Sequence, residues 1–251
     1  MPPRTIDHVL DELNAIIDQA IKNAGRIGYF AALYARVTSN VRRAILAGNV
    51  FQDNARMDRF DVIFADRFLD AWKAWKAHRP LSRSWAAVFE VLDRPDAIVA
   101  QHLLLGMTVH IGLDLGVTAA QVGVSTGGLR PLRADFLAIN DVLSRLLDVV
   151  QAELATCSPR LHHVGRIAPE LQDRAFDFSM AAARDDAWTL AERLVEAPLE
   201  RRPRLISARD EAVLGLVQKI YPPQGALGPV VRWIHEEESK AVKYNIQVIA
   251  G

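Results

Sequence analysis

A single cysteine, Cys157, stands among the 251 residues. It allows no internal disulfide and has no second thiol for a zinc–thiolate site, which fits a reducing compartment. Charge of one sign is missing as well: Lys and Arg equal Asp and Glu at 30 each, with no long run of either. Without a basic stripe to neutralise phosphates, nucleic acid is not an expected partner. The N-terminus reads Met-Pro-Pro-Arg-Thr and then a charged amphipathic pattern. It lacks the basic start, apolar stretch and small-residue cleavage site of a signal peptide, so a cytoplasmic protein is expected.

Loop-borne catalytic signatures are missing too. There is no Gly-x-Ser-x-Gly elbow, no lysine-bearing Walker loop and no Gly-x-Gly-x-x-Gly after a strand. The Gly127 and Gly128 pair is too short to cradle a phosphate by itself. Repeats and convincing strand patterns are also absent.

What the chain has instead is apolar spacing of three and four residues almost throughout. Ile6, Val9, Leu10, Leu13, Ile16, Ile17 and Ile21 predict an opening helix, and Phe30 to Ile45 a second that stops at a left-handed cap near Gly48. A third is expected from Asn54 to about His78, and a short one from Arg83 to Leu92 before Pro95. A central, nearly all-apolar helix follows at about 96–120, then a loop from Gly123 to Gly128 and a helix from Pro131 through Leu154. Ser158 to Pro169, with His162 and His163, reads as a long loop, after which a helix runs to about Glu196. Pro198 to Pro203 is a soft internal boundary, followed by a helix to Ile220, a Pro222-Pro223 turn and a last helix from about Gly228 to Asn245. The expectation is all-α: one multi-helix bundle domain over residues 1–251.

Ile98 to Ala120 is long enough to span a bilayer. It carries Gln101, His102, His110 and Asp114 and has no flanking Lys/Arg cluster, so a buried helix is expected rather than a membrane span.

Turning each helix at about 100° per residue shows which polar groups fall within the apolar stripes. In the third helix Asp61 shares a face with Met57, Phe64, Phe68, Trp72 and Trp75. In the central helix His110 and Asp114 share one with Val99, Leu103, Met107 and Val117. Gly106, at its edge, would admit a neighbouring backbone, and His102 is also expected to be buried. Asn140 falls among Phe136, Ile139, Leu143 and Leu147, with Asp141 and Asp148 pointing away. Glu238 aligns with Val231, Ile234 and Ala241.

Buried carboxylates need partners or a changed protonation state, and convergence of these groups would separate their pKa values. The reading is therefore a small-molecule enzyme. In it Asp61 and His110 exchange protons with the substrate and Asp114 orients the imidazole, in a cyclisation, isomerisation or elimination. Phe64, Phe68, Trp72 and Met107 would wall the pocket, Asn140 would donate to a substrate oxygen and Arg67 would neutralise an anion, with His102 nearby. No cofactor is expected. One alternative is a metal-dependent hydrolase with a divalent ion on His110, Asp114, Asp61 and Glu238. Another is a non-catalytic binding or interaction protein in which the cluster fixes helix register. A homo-oligomer is compatible with any of these.

Asn140 to Asp148 is similar to the second magnesium motif of class I terpene synthases, with Asn140, Ser144 and Asp148 as its ligands and Asp148 where glutamate is usual. No Asp-Asp-x-x-Asp motif partners it, Asp58-Arg-Phe-Asp61 is a poor substitute, and the likeness reads as coincidence. A broader resemblance rests on three segments: Met57 to Phe68 around Asp61 and Arg67, Gln101 to Gly116 around His110 and Asp114, and Asp135 to Asn140. Together they cover the middle half of the chain, which resembles a bacterial and fungal family known only as a domain of unknown function. Members tend to carry Asn where this chain has Thr108 and Gly112. The resemblance implies an intracellular helical protein with one shared site and brings no reaction with it.

Overall fold

Helix ends fall where local backbone chemistry puts them. Helix α1 (Ile6–Asn23) begins where the Thr5 backbone N–H donates to His8 Nδ1 at 3.2 Å. Helix α2 (Ile27–Ala47) closes on Gly48 in the left-handed region, at φ 76°, as the Gly-Asn pair predicts. Asp53 caps α3 (Asn54–Lys76) by accepting the Arg56 N–H at 2.9 Å, and Ser82 caps α4 (Arg83–Val91) by accepting that of Trp85. Helix α5 runs Val99–Ser125 and α6 Arg130–Cys157. Helices α7 (Met180–Glu196), α8 (Arg202–Ile220), α9 (Leu227–Glu237) and α10 (Val242–Ala250) follow.

The computed structural model describes residues 4–161, 180–225 and 227–251, without the side chains of 141, 144, 145, 147 and 148. Among the described residues there is no strand, and the all-α bundle expected of the sequence is the fold. Most of the expected loop from Ser158 to Pro169, His162 and His163 included, lies outside the described residues. So do the side chains of Asp141, Ser144 and Asp148.

Helix α5 is the axis. Helices α2, α3, α4, α7 and α8 all pack on it, and apolar clusters on its two sides make up most of the core. This explains its composition: a helix surrounded by protein has no solvent face to keep polar. By length and composition α5 would suffice to cross a membrane, yet 89% of its most apolar window is buried inside the protein.

At His110–Leu115 the α-helical ladder widens into a turn of π-helix, which loosens the carbonyl bonding of an α-helix. Arg209 of α8 donates from Nε to the Gly112 carbonyl there, at 2.5 Å.

Three expectations are corrected. Helix α5 continues to Ser125, so Gly123 is helical; a Cβ there would meet Leu129, against which α5 turns into α6. Gly106 faces the Phe30 ring and not a neighbour's backbone, whereas close backbone approach occurs at Gly116, where a Cβ would lie 2.6 Å from the Ala187 carbonyl of α7. The single last helix is two, α9 and α10, with Glu238 and Ala241 between them. Just past the end of α9, both Glu238 carboxylate oxygens accept the Val99 N–H at 3.1 Å, placing a carboxylate on the N-terminus of α5. Glu238 also accepts from the Ser158 hydroxyl. Glu238 is thus buried on the side of Val231 and Ile234, as the stripe predicts, whereas Ala241, past the break, is exposed.

Candidate functional site

The π turn carries the two groups that the helical projection singled out. His110 Nδ1 lies 3.0 Å from Asp114 Oδ2, and both residues are buried. The same oxygen accepts the indole N–H of Trp85 at 2.9 Å. An indole N–H can only donate, so Oδ2 acts as an acceptor, and the imidazole proton belongs on Nδ1. His110 Nε2 is left with its lone pair, and it is buried without a hydrogen-bond partner.

Aromatic rings fix the imidazole plane. Phe64 of α3 stacks on it at 3.8 Å between centroids and 8° between planes, and Tyr34 of α2 meets it edge-on at 4.6 Å. Burial pushes the His110 pKa down, and Asp114 only partly restores it. The ring is neutral at neutral pH.

Asp61 is 5% exposed and its Oδ2 is likewise buried without a partner. Burial, with a smaller contribution from the nearby Asp58 charge, lifts its pKa to about 8. Near pH 7 it is therefore mostly a neutral acid, able to donate.

Asp61 and His110 line one cavity of about 70 Å³ between α2, α3, α5, α6 and α7. At roughly 10–15 Å³ for each water-sized group, that is room for about five to seven. Its walls are almost wholly carbon, from Phe30, Phe60, Phe64, Met107, Ile111, Ile139 and Leu143 among others. Tyr34, Met180 and Arg184 complete the lining. Burial raises the Tyr34 pKa well above its ordinary value, so its hydroxyl stays protonated.

The other residues singled out from the sequence are dispersed. Phe68 is fully buried with its ring 6.4 Å from His110, behind the cavity wall, and Trp72 packs against Phe89 of α4 at 5.4 Å. Arg67 donates to Gln121 Oε1 at 3.0 Å in a separate open groove of about 700 Å³, beside Asp66, Asp70 and Arg79. Asp114 lines that groove too, so it stands between the two spaces. His102 packs on Tyr29 at 5.5 Å, with its pKa lowered to about 4 by burial and, secondarily, by Arg26. Asn140 is not on the cavity wall; its Oδ1 accepts from Arg184 Nε at 2.5 Å. Glu238 sits at the start of α5. Among the described residues no three His, Cys, Asp or Glu side chains are grouped closely enough to hold a metal ion.

Trp85 and Arg184 are among the site residues that were not singled out from the sequence. Trp85 shares a face with Val88 and Phe89 and reads as plain core until its N–H is seen to end on Asp114. Arg184 had a usable signal: it lies on the stripe of Ala187, Trp188 and Ala191, where the projection that selected Asp61 would have selected it.

Residues 6–223 match the model of a family of unknown function, DUF5995. The chain belongs to this family. The match to DUF5995 takes in every residue of the cavity wall and ends before α9. No curated protein and no solved structure matches the chain.

Proposed function

We propose that this member of DUF5995 is a small-molecule enzyme that works by general acid–base catalysis in the carbon-walled cavity. The observation that carries the reading is that Asp61 and His110 line one cavity, each with a buried polar atom, Oδ2 and Nε2, that has no hydrogen-bond partner, in surroundings whose burial favours the protonated carboxyl and the neutral imidazole. Environments that push two titratable groups apart in this way assign an acid and a base. His110 Nε2 removes a proton from the substrate, and the Asp114 carboxylate stabilises the imidazolium that forms. Asp61 delivers its proton to another substrate atom. A proton out at one position and in at another is the balance of an isomerisation or cyclisation; elimination follows if Asp61 protonates a leaving group.

The test needs no known substrate. Purified protein is incubated in D2O with a small-molecule extract, and deuterium entering or products appearing are followed by mass spectrometry. Each of Asp61→Asn and His110→Gln is expected to slow the change by about 10²- to 10⁴-fold. Equal turnover in wild type and both variants refutes the acid–base reading.

A further inference from the structure

Arg184 is among the residues that line the cavity, and among the described residues no carboxylate makes an ion pair with it. The side chain is 3% exposed. Its Nε donates to Asn140 Oδ1 and its Nη2 to the Phe136 carbonyl, both at 2.5 Å, and the Phe136 ring lies 4.4 Å from the guanidinium carbon. These partners are neutral. Among the described residues no carboxylate lies within ion-pair distance of it. Asp185, its sequence neighbour, is directed to Arg133 at 3.7 Å with a largely exposed side chain. Asp61, across the same wall, keeps its proton.

A buried charge is costly unless it is lost, paired inside the protein or paired by something that arrives. Burial, opposed in smaller part by the Asp185 charge, lowers the Arg184 pKa to about 10, which leaves it charged at neutral pH. Among the described residues no internal ion pair to Arg184 is seen. Two of the five guanidinium N–H donors hold the group in place, and three remain that a carboxylate reaching past the carbon lining would meet. We propose that the cavity binds a small apolar molecule bearing one carboxylate, with Arg184 as the anion-binding residue and the aromatic and aliphatic walls holding the body. A monoanion fits better than a phosphate dianion, because one guanidinium balances one charge and carbon walls offer the second none. Asn140 then positions Arg184 and does not itself meet the substrate. This inference deepens the reading above and takes from it only that the cavity is where the ligand sits.

Matched acid and amide pairs of the cavity's size test it: propionate against propionamide and butyrate against butyramide, titrated calorimetrically into the full chain. Wild type is expected to prefer at least one acid over its amide by about tenfold or more, and Arg184→Met to reduce that preference to below about twofold. Asn140→Asp covers the case in which Arg184→Met does not fold. It supplies a carboxylate where Nε already donates, and it is expected to keep the fold, hold or raise the melting temperature and lose the acid preference. The proposal is overturned if wild type prefers neither acid, or if Asn140→Asp retains the preference. Asp61→Asn and His110→Gln separate the two ideas: both should still prefer the acid while deuterium exchange falls. Exchange unchanged in those variants with acid preference intact removes the acid–base reading and leaves the anion site standing.

Discussion

Asp61 in the folded chain holds a proton that an unfolded chain gives up near pH 4, and this imposes a direction on stability. Its folded pKa, about 8, lies above the unfolded value. The native state therefore binds more protons between the two, and the contribution of Asp61 is fully present below about pH 4 and lost as pH rises to 8. With roughly four pH units between the two values, the loss is on the order of 5 kcal/mol at most. Asp61→Asn keeps the shape without the titration, so chemical denaturation should find it more stable than wild type at pH 8 and little changed at pH 4. A constant difference across that range would remove Asp61 as the titrating group. His102 carries the opposite sign. Its folded pKa of about 4 lies below the unfolded value, so its contribution is present above about pH 6.5 and lost as pH falls through 4. His102→Gln should accordingly flatten the acid limb of the stability profile and leave the alkaline limb alone. An acid limb as steep as that of wild type would show that His102 does not set it.

Periodicity revealed helices and their buried faces, because a stripe of apolar residues at helical spacing has few other solutions. It could not reveal which neighbour each part of a stripe meets. In α3, Asp61, Phe64 and Trp72 share one face, yet the helix is 23 residues long and passes first the cavity and then α4, so Trp72 packs on Phe89. Arg67, at the edge of the stripe, opens into the groove. Glu238 is buried as its stripe implied, but its partner, the N–H at the start of α5, is a tertiary contact that periodicity does not show. The cavity itself depends on five helices meeting, and no single segment encodes that. Close packing of α5 on α7 is read most directly at Gly116. A methyl there lands 2.6 Å from a backbone oxygen, which cannot swing aside, so Gly116→Ala should destabilise the fold by about 1–3 kcal/mol. Gly215, within α8, has nothing within 4 Å of where its Cβ would be, and Gly215→Ala should stabilise by up to about 1 kcal/mol through helix propensity. Thermal unfolding of the pair decides the matter: equal effects would mean that α5 and α7 are not in close contact.

Across the whole molecule the site is held from outside by α8, two of whose residues grip the two pieces that position His110. Arg209 donates to the Gly112 carbonyl of the π turn and pairs with Asp186 of α7 at 2.5 Å. Asp210 accepts the backbone N–H groups of Arg83 and Ser84 at 2.8 and 3.0 Å, and the Ser84 hydroxyl as well. These are first-turn donors of α4 that its own helix cannot satisfy. Trp85 is the next residue, and its indole ends on Asp114. A chain of contacts thus runs from Asp210 through the start of α4 to the Asp114 oxygen that also bonds His110. Removing the cap by Asp210→Ala should cost about 0.5–2 kcal/mol, a shift of a few degrees in melting temperature at this chain length. The loss should also be local. Trp85 Nε1–H should exchange faster with solvent and shift in nitrogen–proton spectra, whereas Trp188, bonded to Glu192 at 2.7 Å on the far side of the core, should not change. Equal changes at both indoles would indicate general loosening, and no change at Trp85 would mean that Asp210 caps α4 without supporting the site. The selective outcome would show that the imidazole is oriented by the packing of α8 on α4 as well as by its neighbour one turn along α5.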